Sequence, residues 1–131
     1  MAGMSTYFEN TVLNWIKGTA FAAAPGAVYV ALFSGDPTDD NNAGNEVTTQ
    51  IRSGGRVAVT FGAIAGKQIA NNAVVNFGNA ANATNIAYFG IFDAAANGNM
   101  IVSNALDGGA QAVAAGTGLT FAVGQLKVQA S

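Results

Sequence analysis

The sequence predicts a mainly β fold, an antiparallel β-sandwich or partly closed barrel with one N-terminal α-helix. Three observations lead there. About seven short runs rich in Val, Ile, Phe and Tyr follow Pro25, each bounded by Gly, Asn, Asp or Pro. A single stretch of 3.6-residue apolar periodicity precedes them all. No linker or shift in composition interrupts residues 1–131, so one domain is expected.

The helix is predicted over residues 5–17. Thr6 is the expected N-cap, and Glu9, three residues on, completes a capping box. Phe8, Val12, Trp15 and Ile16 fall at i, i+4, i+7 and i+8, the spacing of one buried stripe, with Leu13 beside it. Lys17 suits the negative end of the helix dipole, and Gly18 is a natural stop. Such a helix is expected to cover an open end or edge of the strands and shield their backbone from foreign chains.

The first strand, AVYVALF over residues 27–33, is apolar almost throughout and therefore expected to be buried on both faces. A long polar loop follows over residues 34–46. RVAVTF (56–61), AVVNF (73–77), IAYFGIF (86–92) and MIVSNAL (100–106) are the next strands, with residues 119–123 and 126–129 closing the chain. Between the fourth and fifth lies Asn97-Gly98, a pair suited to the positive φ angles of a hairpin turn. Two stretches of small residues are expected to be loops or contact arms: the Asn-rich 71–85 and the Ala/Gly-rich 107–118.

Composition removes several kinds of chemistry. The chain has no Cys and no His, which excludes disulfides, thiolate nucleophiles and imidazole general bases. Only 9% of residues are charged, the net charge is −2, and five residues are basic. That balance argues against an electrostatic grip on nucleic acid or anionic lipid. Ala, Gly and Asn dominate instead, at 27, 17 and 14 residues. A free monomer usually carries a well-charged, mixed-sign surface, so this one is expected to meet neighbours repeatedly and to form an oligomer. The most apolar stretch, residues 21–33, is broken by Pro25-Gly26 and is shorter than the roughly 20 residues that span a bilayer. No export signal is read at the N-terminus, and synthesis in a cytoplasm is expected.

The acidic loop is the one cluster with site chemistry within reach. Asp36, Asp39, Asp40 and Glu46 lie close together, interleaved with Asn, but their spacing does not fit a calcium loop. A solvated turn is expected and no metal. Four of the seven acids share this loop, which does not suit a carboxylate pair converging across a sugar-binding cleft. No catalytic residue, cofactor or enzymatic activity is expected. Gly54-Gly55 and Gly108-Gly109 match no phosphate-binding loop. Arg52 and Arg56 are expected to pair with the acidic loop or a neighbouring subunit. Asn82-Ala83-Thr84 is a formal glycosylation sequon, expected to be chance. Candidate partner contacts are Asp36, Asp39, Asp40, Glu46, Arg52, Arg56, Asn79, Asn82 and Asp107.

The ordered set YVALFSGDPTDD…NEV, GGRVAVTF, NNAVVNFG, IAYFGIFDAAANGNMIVSNAL and LTFAVGQLKV, read along residues 29–128, resembles a family of small virion proteins of tailed bacteriophages. The resemblance covers roughly residues 5–129. It implies a structural protein with no catalytic residues, acting on the capsid surface as a decoration or cement protein, with the major capsid protein as partner. In some phages the same pattern carries a tail-fibre label. A homotrimer is the first expectation and a dimer the second. The strand cores are expected to need Val30, Leu32, Val57, Val59, Val75, Phe89, Ile91, Phe121 and Val128, leaving the N-terminal segment, the acidic loop and the two small-residue stretches to reach outward.

Overall fold

A computed structural model describes residues 3–21, 23–40, 43–52, 55–106 and 108–129. Its elements in chain order are β1 Gly3–Met4, α1 Thr6–Ile16, β2 Val28–Phe33, β3 Glu46–Val47, β4 Val57–Val59, β5 Gln68–Ala70, β6 Val75–Asn79, β7 Thr84–Ile86, β8 Tyr88–Phe92, β9 Met100–Ala105, β10 Gln111–Val113, β11 Gly118–Phe121 and β12 Lys127–Gln129.

The apolar run that forms β2 is the strand around which the main sheet is laid. It pairs along its length with β8, from Tyr29 opposite Phe92 to Phe33 opposite Tyr88. β9 pairs on the far side of β8, and the short β1 pairs on β9. The other edge of β2 is shared by β4 over its first half and β3 over its last two residues. Three two-stranded ribbons, β6–β11, β7–β10 and β5–β12, make up the rest. Among the described residues every pairing is antiparallel and no strand order closes on itself, so the fold is a sandwich and not a closed barrel.

Alternation along the strands sorts the side chains into two clusters. Val30, Leu32, Phe89, Ile91 and Val102 leave one face of the main sheet and meet Val75, Phe77, Ile86, Val113, Phe121 and Leu126 from the ribbons and their connections. Val57 and Val128 are half-buried against the same core. Each fully buried side chain of this size contributes about 1.5–3 kcal/mol relative to exposure. The opposite face holds a smaller cluster of Ala31, Phe33, Phe92 and Met100, with the rings of Phe33 and Phe92 stacked at 6.2 Å. Both faces of β2 are thus covered, as its unbroken apolarity requires.

Gly90 makes the smaller cluster possible. A Cβ there would lie 2.9 Å from Phe33 Cε1 and 3.2 Å from Phe92 Cε1. The β8–β9 hairpin turns at Asn97 (φ 57°) and Gly98 (φ 69°), the left-handed conformations expected of that dipeptide.

Three expectations need correction. The N-cap is Ser5, not Thr6: Ser5 is extended, and the Phe8 N–H donates to Ser5 Oγ at 3.1 Å. Thr6 instead donates its hydroxyl to Asp40 Oδ1 at 2.8 Å, and its backbone N–H to the Asp39 carbonyl. Residues 71–85 and 108–118 are not free arms. They supply β6, β7, β10 and the start of β11, which pair with one another, because a ribbon needs backbone partners more than it needs bulky side chains. Asn71 is buried at the centre of this arrangement. Its side-chain N–H groups donate to the carbonyls of Ala73 (2.9 Å) and Ala122 (3.0 Å), while its Oδ1 accepts from Gly124 N (3.1 Å) and Leu126 N (2.9 Å). One amide therefore ties the C-terminal turn to β6. The third correction concerns the helix stripe.

Candidate functional site

Helix α1 is seated by its first half. The Ser5 N–H donates to the Ile101 carbonyl, the helix packs on β9, and Phe8 and Val12 are half-buried. The second half of the predicted stripe is outside: Leu13 is 57% exposed, Trp15 58% and Ile16 69%. Periodicity was right about which residues share a face. It carried no information about whether this chain supplies a surface for them, and no helix residue is fully buried. Phe21 folds back beside the helix, edge-on to Phe8 at 6.0 Å and to Trp15 at 6.3 Å, and is itself exposed.

The helix stands between two clefts with Phe8 in both walls. One, of about 290 Å³, lies toward the β5–β12 ribbon and is lined by Met4, Phe8, Ile64, Ile69, Ile101 and Val128. The other, of about 440 Å³, is lined by Tyr7, Phe8, Thr11, Phe21, Pro25 and Asp93. Apolar surface of this kind, concentrated in one place, marks interaction sites more often than scattered exposed residues do.

The acidic loop lies against the start of the helix. Asp36 Oδ1 accepts from its own Thr38 N–H at 2.9 Å, an Asx turn, and Asp39 and Asp40 receive Thr6 as described. Among the described residues, no three acidic side chains converge on a point that would hold a metal ion. Glu46 belongs elsewhere. Its carboxylate meets Arg56 through two parallel bonds, with the side chains only 10% and 5% exposed. The Arg56 guanidinium also donates to the carbonyls of Ala94 and Asn97, anchoring the β8–β9 turn. The expected Arg56 pairing with the acidic segment is therefore made inside the chain.

The remaining candidates are scattered. Arg52 is exposed, and its carbonyl accepts from Gly55 N. Asn79 is exposed at the end of β6 opposite Gly118, and Asn82 is exposed with its backbone N–H on the Gln50 carbonyl. Asp107 lies outside the described residues. Sequence reasoning missed Leu13, Trp15, Ile16 and Phe21 as surface residues. The available signal was the absence of a second helix or a further apolar stripe for them to pack on.

The fold and its surface define a class: a small, sparsely charged β-sandwich with an apolar helix presented outward and no cluster of metal-ligand side chains among the described residues. A family model described as Podophage GP4 fiber I protein gp80 matches residues 3–129. The chain belongs to this family and is a structural protein of the phage virion. The phage-virion resemblance holds at that level, under a fibre description in place of a decoration one. A comparison with curated proteins finds no match.

Proposed function

We propose that this chain is a subunit of a fibre on a short-tailed phage particle, self-associated as a small homo-oligomer and working by contact, not catalysis. The observation that carries the reading is the family match across residues 3–129, whose description is of a fibre protein. The unpartnered half of α1 supports it, since a chain built to assemble keeps apolar surface outside its own core. Low charge supports it as well, because repeated contacts then require few charges to be desolvated.

Cryo-microscopy of purified particles, with gold-labelled antibody against the chain, tests the assignment. Density and label at the tail are expected. Label distributed over the head would replace this reading with capsid decoration, the major capsid protein then being the partner. Purified protein is expected to leave a host polysaccharide layer intact, and clearing of that layer would overturn the non-enzymatic part.

A further inference from the structure

We propose that two copies of this chain pair through α1, antiparallel about a twofold axis at Leu13. The inference deepens the fibre-subunit reading and rests on its claim of self-association.

Of the eight large apolar side chains exposed among the described residues, five fall within residues 7–21. Exposure of this kind is ordinary when scattered and informative when gathered.

Charge selects the occupant and the register. Glu9, Leu13, Ile16 and Lys17 stand at i, i+4, i+7 and i+8, and so share a face of the helix. Glu9 is the one charged residue within α1, and Lys17 caps its end. Leu13 lies four residues from each. An antiparallel pair centred on Leu13 therefore sets Glu9 opposite Lys17 of the partner subunit and repeats that pair at the other end. A parallel pair would set Glu9 on Glu9 and Lys17 on Lys17, like on like. The face is self-complementary only in the antiparallel sense, which is what an isologous twofold contact demands. Between the two charge pairs lie Leu13 and Ile16, apolar and unpartnered in the single chain.

Sedimentation of the full chain and of four variants tests this. Wild type is expected at twice the chain mass. Leu13→Glu is expected to weaken the dimer by about 30-fold or more, the effect of losing a central apolar anchor, without changing the circular dichroism of the chain. Glu9→Lys and Lys17→Glu should each weaken it, and the two together should restore it. Because the chain has no cysteine, Leu13→Cys should form a dimer on oxidation, whereas Ala115→Cys in the β10–β11 turn should not. Wild type at single-chain mass overturns both this inference and the self-association claim. A dimer insensitive to Leu13→Glu overturns the α1 contact and leaves self-association standing. A dimer that the double charge swap fails to restore, or a mass of three copies, overturns the antiparallel twofold register.

Discussion

Arg56 grips Glu46 through Nε–Oε2 at 2.9 Å and Nη2–Oε1 at 3.0 Å, while its guanidinium carbon sits 3.7 Å from the centre of the Phe92 ring. The arginine thus joins β3, the approach to β4 and the β8–β9 turn. Arg56→Ala leaves a nearly buried carboxylate without its cation and should lower unfolding free energy by about 3–5 kcal/mol. Arg56→Lys keeps the charge but loses the planar fork and should fall between the two. Urea unfolding midpoints measure both. A lysine variant as stable as wild type would mean that the fork geometry contributes nothing.

Asn71→Ala takes away the side-chain partners of the Leu126 N–H and the Ala73 carbonyl, while the Gly124 N–H keeps the residue 71 backbone carbonyl at 3.0 Å and the Ala122 carbonyl keeps the Gln125 N–H at 3.1 Å. A loss of about 3 kcal/mol is expected, with the Leu126 amide exchanging faster. Asn71→Asp can still accept from Gly124 and Leu126 but cannot donate to Ala73 and Ala122, so it should be at least as damaging. Hydrogen exchange at Leu126 unchanged in Asn71→Ala would exclude the amide as the tie.

Gly90→Ala should cost about 1–3 kcal/mol by overpacking the small cluster against Phe33. Phe33→Leu removes the Cε1 that a new Cβ would meet. The double variant should therefore lose less than the sum of the single ones. Simple additivity in thermal unfolding would count against the contact.

Ser103 Oγ is buried in β9 without a hydrogen-bond partner. Ser103→Ala removes an unsatisfied hydroxyl and little volume, so a gain of about 1 kcal/mol is expected in denaturant unfolding. A drop in the midpoint would mean that the hydroxyl is satisfied after all.

Ser5→Ala should lower stability by about 1 kcal/mol through loss of the N-cap, while Thr6→Ala stays within about 0.5 kcal/mol. The opposite ranking in urea unfolding would return the cap to Thr6.

How much the sequence disclosed follows from where each element gets its stability. β2, β8 and β9 carry their own β-branched and aromatic runs, so their positions and their buried residues are legible in the residues themselves. The turn at Asn97-Gly98 is legible because φ > 0 restricts residue choice. β5, β7 and β10, reading QIA, TNI and QAV, are not. Nothing in three such residues demands extension; they are strands because Lys127–Gln129 or one another lie alongside to accept their bonds. Asn71 is hidden among its neighbours for the same reason, since its role depends on the backbone groups of Ala122, Gly124 and Leu126, more than 50 residues away. The pairing of Arg56 with the acidic segment is within reach because isolated charges in a sparsely charged chain have few choices. The outward face of α1 is not, because a periodic pattern records a need for burial and not the address of what buries it.

The seat of α1 has a chronology. β1 precedes the helix directly and pairs with β9, setting Gly3 against Ser103, about a hundred residues later. Ribosomes add roughly 5–20 residues per second, so the segment that becomes α1 waits several seconds before its strand exists. Closing so long a loop is slow, and it comes late among pairings of high sequence separation. A chain with an unfinished main sheet therefore lacks the strand on which its helix is seated. Completion of β9 thus acts as a clock for the seating of the helix.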